Sequence, residues 1–214
     1  MNKGFFVAWA LIFCATNHAA TLFSEDFQQG LTKKWEPVKF EGITQYTTPA
    51  DDKDKNNKVL QARAASSASG VGTKVSIPLK PNTTFTWRWK IDKTPQGGSE
   101  DAKKNFDHTA RIFVAFKTSI GPPRTINYVW ANKTSAGKTF HHPSSGRARF
   151  IVLESGDAKT NQWIVEKRDL YADWKQLFGN DDPPAIASIG LMTDSDGTET
   201  TVTGWYDDLQ ITGP

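Results

Sequence analysis

Apolar and polar residues alternate strictly along Thr84-Phe-Thr-Trp-Arg-Trp-Lys-Ile91. Successive side chains of a β-strand point to opposite faces, so Phe85, Trp87, Trp89 and Ile91 share one face and Thr84, Thr86, Arg88 and Lys90 the other. This is the pattern of a strand buried on one side. Comparable runs cover residues 74–79, 110–117, 125–131, 147–153, 163–168, 185–192 and 201–211, separated by clusters of Gly, Pro, Asn and Asp. About eight strands or more, rich in aromatic core candidates, predict an all-β, two-sheet sandwich of jelly-roll type. The expected core comprises Phe85, Trp87, Trp89, Ile112, Val114, Phe116, Trp163 and Val165. That phase places Ile164, Glu166 and Arg168 on the opposite face of their strand.

One segment switches to helical spacing. In residues 169–179, Leu170, Trp174, Leu177 and Phe178 recur at intervals that fill one side of a helix. Asp169 is suited to cap the first turn and Gly179 to close the last, and the prolines at 183–184 forbid continuation. No internal repeat and no long linker divides the chain, so residues 21–214 read as a single domain.

The N-terminus has a different character. Lys3, the apolar run 4–15 and the small residues ending at Ala20 have the layout of a secretory signal peptide, residues 1–20, with cleavage expected after Ala20. A lipoprotein signal at Leu11-Ile-Phe-Cys14 is the alternative, but Phe13 is bulky where that processing wants a small residue. The apolar run is too short to span a bilayer, and no transmembrane segment is expected elsewhere. The single cysteine, Cys14, falls inside the removed segment, which excludes disulfides and thiol chemistry from the mature chain. A net charge of +3, with no basic block, argues against nucleic acid as a partner. The expected address is periplasmic or secreted.

The succession Asn105-Phe-Asp-His-Thr-Ala-Arg-Ile-Phe-Val-Ala-Phe116, Ile126-Asn-Tyr-Val-Trp130, Glu154-Ser-Gly156, Trp163-Ile-Val-Glu-Lys-Arg-Asp169, Phe178-Gly179, Pro183-Pro184 and Met192-Thr-Asp-Ser-Asp-Gly-Thr198 resembles the bacterial domain-of-unknown-function family 3047. The resemblance runs over nearly all of the mature chain. It implies an exported bacterial protein with a lectin-like or jelly-roll β-sandwich, and no known activity. Two positions depart from the family's pattern. His108 stands where a second acidic residue would follow Asp107, which weighs against a carboxylate pair there, and Gly197 stands where the family tends to Asn.

Two constellations are candidate sites. The first gathers Arg88, Arg111, Asn127, Glu166 and Arg168 on strand faces away from the core, with Tyr128 and Trp130 close by in sequence. Aromatic faces stack on pyranose rings, while Arg and Asn supply directional hydrogen bonds, and the excess of Arg favours an anionic glycan. Solvated cross-strand pairs of little energetic weight are the competing reading. The second is acidic: Asp194 and Asp196 with Asp208, near Glu25, Asp26 and Asp207 if the terminal strands pair. A structural calcium ion suits such oxygens, although the spacing is not that of an EF-hand, and an Asp-Gly hairpin turn explains part of it equally.

Catalytic signals are weak. There is no G-x-S-x-G elbow, and the adjacent pair His141-His142 lacks zinc-ligand spacing. The E-x-D-x-x-E strand of sandwich glucanases and the Q-I-H and Y-x-K-x-G-x-Y strands of sandwich alginate lyases are absent. The expectation is therefore a non-catalytic carbohydrate-binding module for a polysaccharide or other glycan. The alternatives are a carbohydrate-active hydrolase or lyase using Glu166, with Arg168 and with Glu154 or Asp169 as second carboxylate, and an envelope structural protein with no small ligand.

Overall fold

The computed structural model describes residues 19–101, 104–118, 121–179 and 182–214. Most of the expected signal peptide therefore lies outside the described residues. The strands are β1 (Ala20–Glu25), β2 (Trp35–Glu41), β3 (Gln45–Thr47), β4 (Leu60–Ala65), β5 (Ala68–Ile77), β6 (Thr84–Ile91), β7 (Arg111–Phe116), β8 (Arg124–Ala131), β9 (Thr139–His142), β10 (Ser145–Ser155), β11 (Ile164–Asp169), β12 (Ile186–Asp194) and β13 (Thr201–Gly213), with one helix, α1 (Leu170–Phe178). They form two sheets packed as a sandwich. One runs β11-β6-β13-β4-β3, with β1 on the far half of β13 next to β4; the other runs β2-β5-β12-β7-β8-β10-β9. Among the described residues only β8 and β10 pair in parallel.

The aromatic stripe of β6 faces inward as its alternation demands. Phe85, Trp87, Trp89 and Ile91 meet Ile112, Val114 and Phe116 of β7 and Ile126, Tyr128 and Trp130 of β8, all almost wholly buried. Trp87 lies 5.1 Å from Tyr128 and Trp89 6.2 Å from Trp130, ring to ring across the two sheets. A smaller cluster of Phe106, Val129, Ala131, Phe150 and Val152 sits apart from this core. Val129 and Val152 are register partners on β8 and β10 and alternate with core-facing residues, so this cluster covers the outer face of the seven-stranded sheet.

Helix α1 begins and ends where the sequence implies. The Asp169 carboxylate accepts the N–H groups of Tyr171 and Ala172 at 3.0 Å. Gly179 closes the helix at φ 89°, a value that favours glycine, and donates to the Lys175 carbonyl at 3.0 Å, but its ψ of −164° departs from the left-handed cap expected.

The phase expected for β11 is inverted. Ile164 pairs with Trp89, Glu166 with Trp87 and Arg168 with Phe85. Paired residues share a face, so Ile164, Glu166 and Arg168 point inward, while Val165 is 73% exposed. Trp163, also expected in the core, is half-buried on the outer side, 4.3 Å from the Arg88 guanidinium. The reason is that β11 is an edge strand. Its inner face sits at the margin of the apolar core and meets α1, so polar residues with partners are tolerated inside, and a one-residue shift of phase moves every side chain.

Candidate functional site

Arg111 opens β7 and Asp194 closes β12, and the segment leading into β7 crosses the same end of the seven-stranded sheet. There Asp107, Asp194 and Asp196 bring carboxylate oxygens within 4.8 Å of one another. Asp107 and Asp194 are buried and Asp196 is half-buried. Backbone geometry holds them. The Asp107 carboxylate accepts the N–H and hydroxyl of Thr198, both at 2.7 Å, and the Gly197 N–H at 3.3 Å. Asp194 accepts the His108 N–H at 2.9 Å. A Cβ at Gly197 would stand 2.1 Å from the Lys104 carbonyl oxygen, so the turn after β12 can dock on the segment before β7 only with glycine here.

Burial pushes Asp194 up to about 7; Arg111 opposes this, and Asp107 and Asp196 push it further up. Asp107 is likewise raised, first by burial. Arg111 donates from Nε to Asn127 at 3.0 Å and lies 5.1 Å from the Phe150 ring, and burial lowers its pKa. The Asn127 amide donates in turn to Thr125 and to the Arg149 carbonyl, which fixes the oxygen toward Arg111. Arg111 and the three carboxylates line a pocket of about 200 Å³ together with Lys104, Phe106, His142 and Phe40. Phe40 is 63% exposed at this pocket. His108, which replaces the expected second acid, is fully buried, with Phe106, Phe140 and Phe150 rings 4.9, 6.4 and 6.0 Å away. Burial drives its pKa down to about 3, so it is neutral.

The structure disperses the first expected constellation. Arg111 lines the pocket just described and Asn127 is buried behind it as its hydrogen-bond partner, but Arg88 belongs to the other sheet. There its guanidinium is caged by Asp207 at 2.6 Å, Asp208 at 2.9 Å and Asp51 at 3.2 Å. Tyr128 and Trp130 face the core. The Tyr128 hydroxyl donates to Asp173 at 2.7 Å and the Trp130 indole to the Gly156 carbonyl at 2.9 Å. Arg168 holds Asp173 in a bidentate pair. Glu166 accepts the Trp89 indole N–H at 3.2 Å, and burial, then the charge of Glu154, raises it to about 7. Glu154 is paired with Lys159 at 2.7 Å.

The acidic set is divided too. β1 does pair with β13, setting Glu25 opposite Leu209, and a cleft of about 540 Å³ is lined by Glu25, Asp26, Lys34 and Asp208. The Glu25 carboxylate is already engaged by Lys34 at 2.8 Å and the Trp35 indole at 2.8 Å, and Asp208 by Arg88. Asp194 and Asp196 lie elsewhere and gather Asp107 instead of Asp208. Sequence reasoning met Asp107 only as a carboxylate whose pairing His108 weighs against, and Phe40 not at all, because each lies at the end of, or outside, an alternating run and only long-range pairing brings them to the same place.

A family described as protein of unknown function matches residues 33–210. The chain belongs to that family, DUF3047. No curated protein matches it. Among solved structures, the cellulose-induced protein Cip1 superimposes with a TM-score of 0.53 at 11% identity, covering 90% of this chain and 97% of that one. The K3 adhesin domain of Lys-gingipain from Porphyromonas gingivalis gives 0.49 at 13% identity, covering 91% and 100%. A family 11 carbohydrate-binding module from Clostridium thermocellum, in complex with a mixed-linked tetrasaccharide, gives 0.44 at 12% identity, covering 92% and 98%. At these identities the likeness to Cip1 shows the sandwich fold of this DUF3047 member. Among its described residues no helix is long and apolar enough to cross a membrane.

Proposed function

We propose that this DUF3047 protein is an exported, non-catalytic glycan-binding module whose site is the pocket beside Phe40. One observation carries the reading: an aromatic ring 63% exposed stands on a pocket whose wall offers Arg111 and the carboxylates of Asp107, Asp194 and Asp196. An exposed ring gives a sugar's apolar face something to lie on, and a few fixed polar groups select its hydroxyls. The three carboxylates also suit a calcium ion, which moves the metal expectation from Asp208 to Asp107. A bound ion would let hydroxyls or a sugar carboxylate complete its coordination.

A glycan array followed by calorimetric titration, with and without calcium, tests the reading. Phe40→Ala is expected to weaken binding about tenfold or more, equivalent to ~1.4 kcal/mol, without shifting the melting temperature, because the ring is largely in solvent. If no glycan on the array depends on Phe40 for its binding, the pocket is removed from the site. Incubating each hit with the protein separates binding from turnover: a shortened glycan would turn the reading into an enzyme.

A further inference from the structure

The inward alternation of β8 and β10 continues past the apolar core as arginine. Ala148 pairs with Thr125, so Arg147 neighbours Arg124, and Arg149 is opposite the buried Ile126. All three arginines line a groove of about 360 Å³ whose other wall is Leu177 and Phe178 at the end of α1. The Phe178 ring lies 5.6 Å from the Arg124 guanidinium and 5.7 Å from that of Arg149. Arg147 donates to the Pro122 carbonyl at 2.8 Å, and Arg149 contacts the His141 ring while its buried Nε has no partner. Arg88 and Arg168 are each held by aspartates, yet among the described residues no carboxylate pairs with Arg124, Arg147 or Arg149.

Three like charges converging on a concave surface repel one another. The carbonyl end of α1 offsets only about half a charge. A guanidinium lying over an aromatic ring keeps its edge N–H groups available, and that edge matches the two oxygens of a carboxylate or sulfate. Leu177 and Phe178 add apolar surface where the ring of a sugar could rest. We propose that this groove binds the carboxylate or sulfate group of an acidic polysaccharide. It shares no residue with the Phe40 pocket and stands or falls separately from it.

The full chain is titrated calorimetrically with a hexagalacturonate and a heparin-derived hexasaccharide, with neutral cellohexaose as reference. An acidic oligosaccharide is expected to bind, and more weakly as salt rises. Arg147→Gln should weaken that binding about tenfold at an unchanged melting temperature, since the side chain is exposed. Arg124→Lys, which keeps the charge and loses the fork, should weaken it as well. Phe40→Ala should leave it intact, so the two sites are read apart. The proposal is overturned if neither acidic oligosaccharide binds, or if binding survives both arginine substitutions. It is equally overturned if inorganic sulfate binds as tightly as the hexasaccharide. Capture by phosphatidylserine vesicles, dependent on Arg147 and without oligosaccharide binding, would replace it with a membrane contact.

Discussion

Glu166 sits where a carboxylate is expensive to ionise. Its pKa of about 7 in the fold lies above the 4.5 of an ordinary solvated glutamate, so the folded state binds the proton more tightly than the unfolded chain does. Stability from the neutral form is therefore fully present below the unfolded pKa and is lost as pH rises toward 7. Gln keeps an oxygen for the Trp89 indole and cannot ionise. Glu166→Gln should raise the melting temperature by several degrees at pH 8 and leave it nearly unchanged near pH 4, measured by calorimetry in matched buffers; an equal effect at both pH values would mean that Glu166 is charged in the fold. The alternation of Trp163-Ile-Val-Glu-Lys-Arg-Asp169 was legible as a strand, but its phase was not. Aromatic Trp163 and β-branched Val165 look like core, and only the register Glu166↔Trp87 shows that the charged side faces in. At an edge strand, hydrophobicity stops reporting depth.

At the scale of elements, two connections meet at the acidic trio. The segment before β7 supplies Asp107, while β12 and the turn after it supply Asp194 and Asp196, and the Thr198 bonds tie the two together. An ion bound there would hold both connections at once and bind only the folded chain, so it would stabilise by mass action. Calcium should raise the melting temperature of the native protein and of Asp208→Asn, and fail to do so in Asp196→Asn. Protons compete with the ion for Asp194, so the effect should be larger at pH 8 than at pH 5. A shift lost in Asp208→Asn instead would return the ion to the cleft between β1 and β13. Strands with long alternation, such as β6 and β7, were readable in advance, and so was α1 with its Asp169 cap. Short strands such as β3 and β9 were not, because three or four residues hold too few periods to stand out.

For the whole molecule, what the chain conceals is which strand joins which sheet. Arg88 and Arg111 lie on equally clear strands, yet β6 and β7 belong to opposite sheets, and local alternation carries no information about such pairing. The consequence is sharpest at Arg168. This side chain from the six-stranded sheet meets Asp173 of α1, and Tyr128 from the seven-stranded sheet donates to the same carboxylate. Asp173 is only 2% exposed. The three together fasten the helix to both sheets. Arg168→Ala leaves the Asp173 charge buried with one neutral donor, and loss of one partner from a buried pair costs roughly 3 to 5 kcal/mol. The expected result is a fall in melting temperature on the order of ten degrees, with glycan affinity per folded molecule unchanged. Because replacing both members of a buried pair by apolar residues is often close to neutral, Arg168→Met combined with Asp173→Leu should recover much of that loss, although the Tyr128 hydroxyl then needs water. A single Arg168→Ala variant that melts normally but no longer binds glycan would reverse the argument and put Arg168 in a binding site.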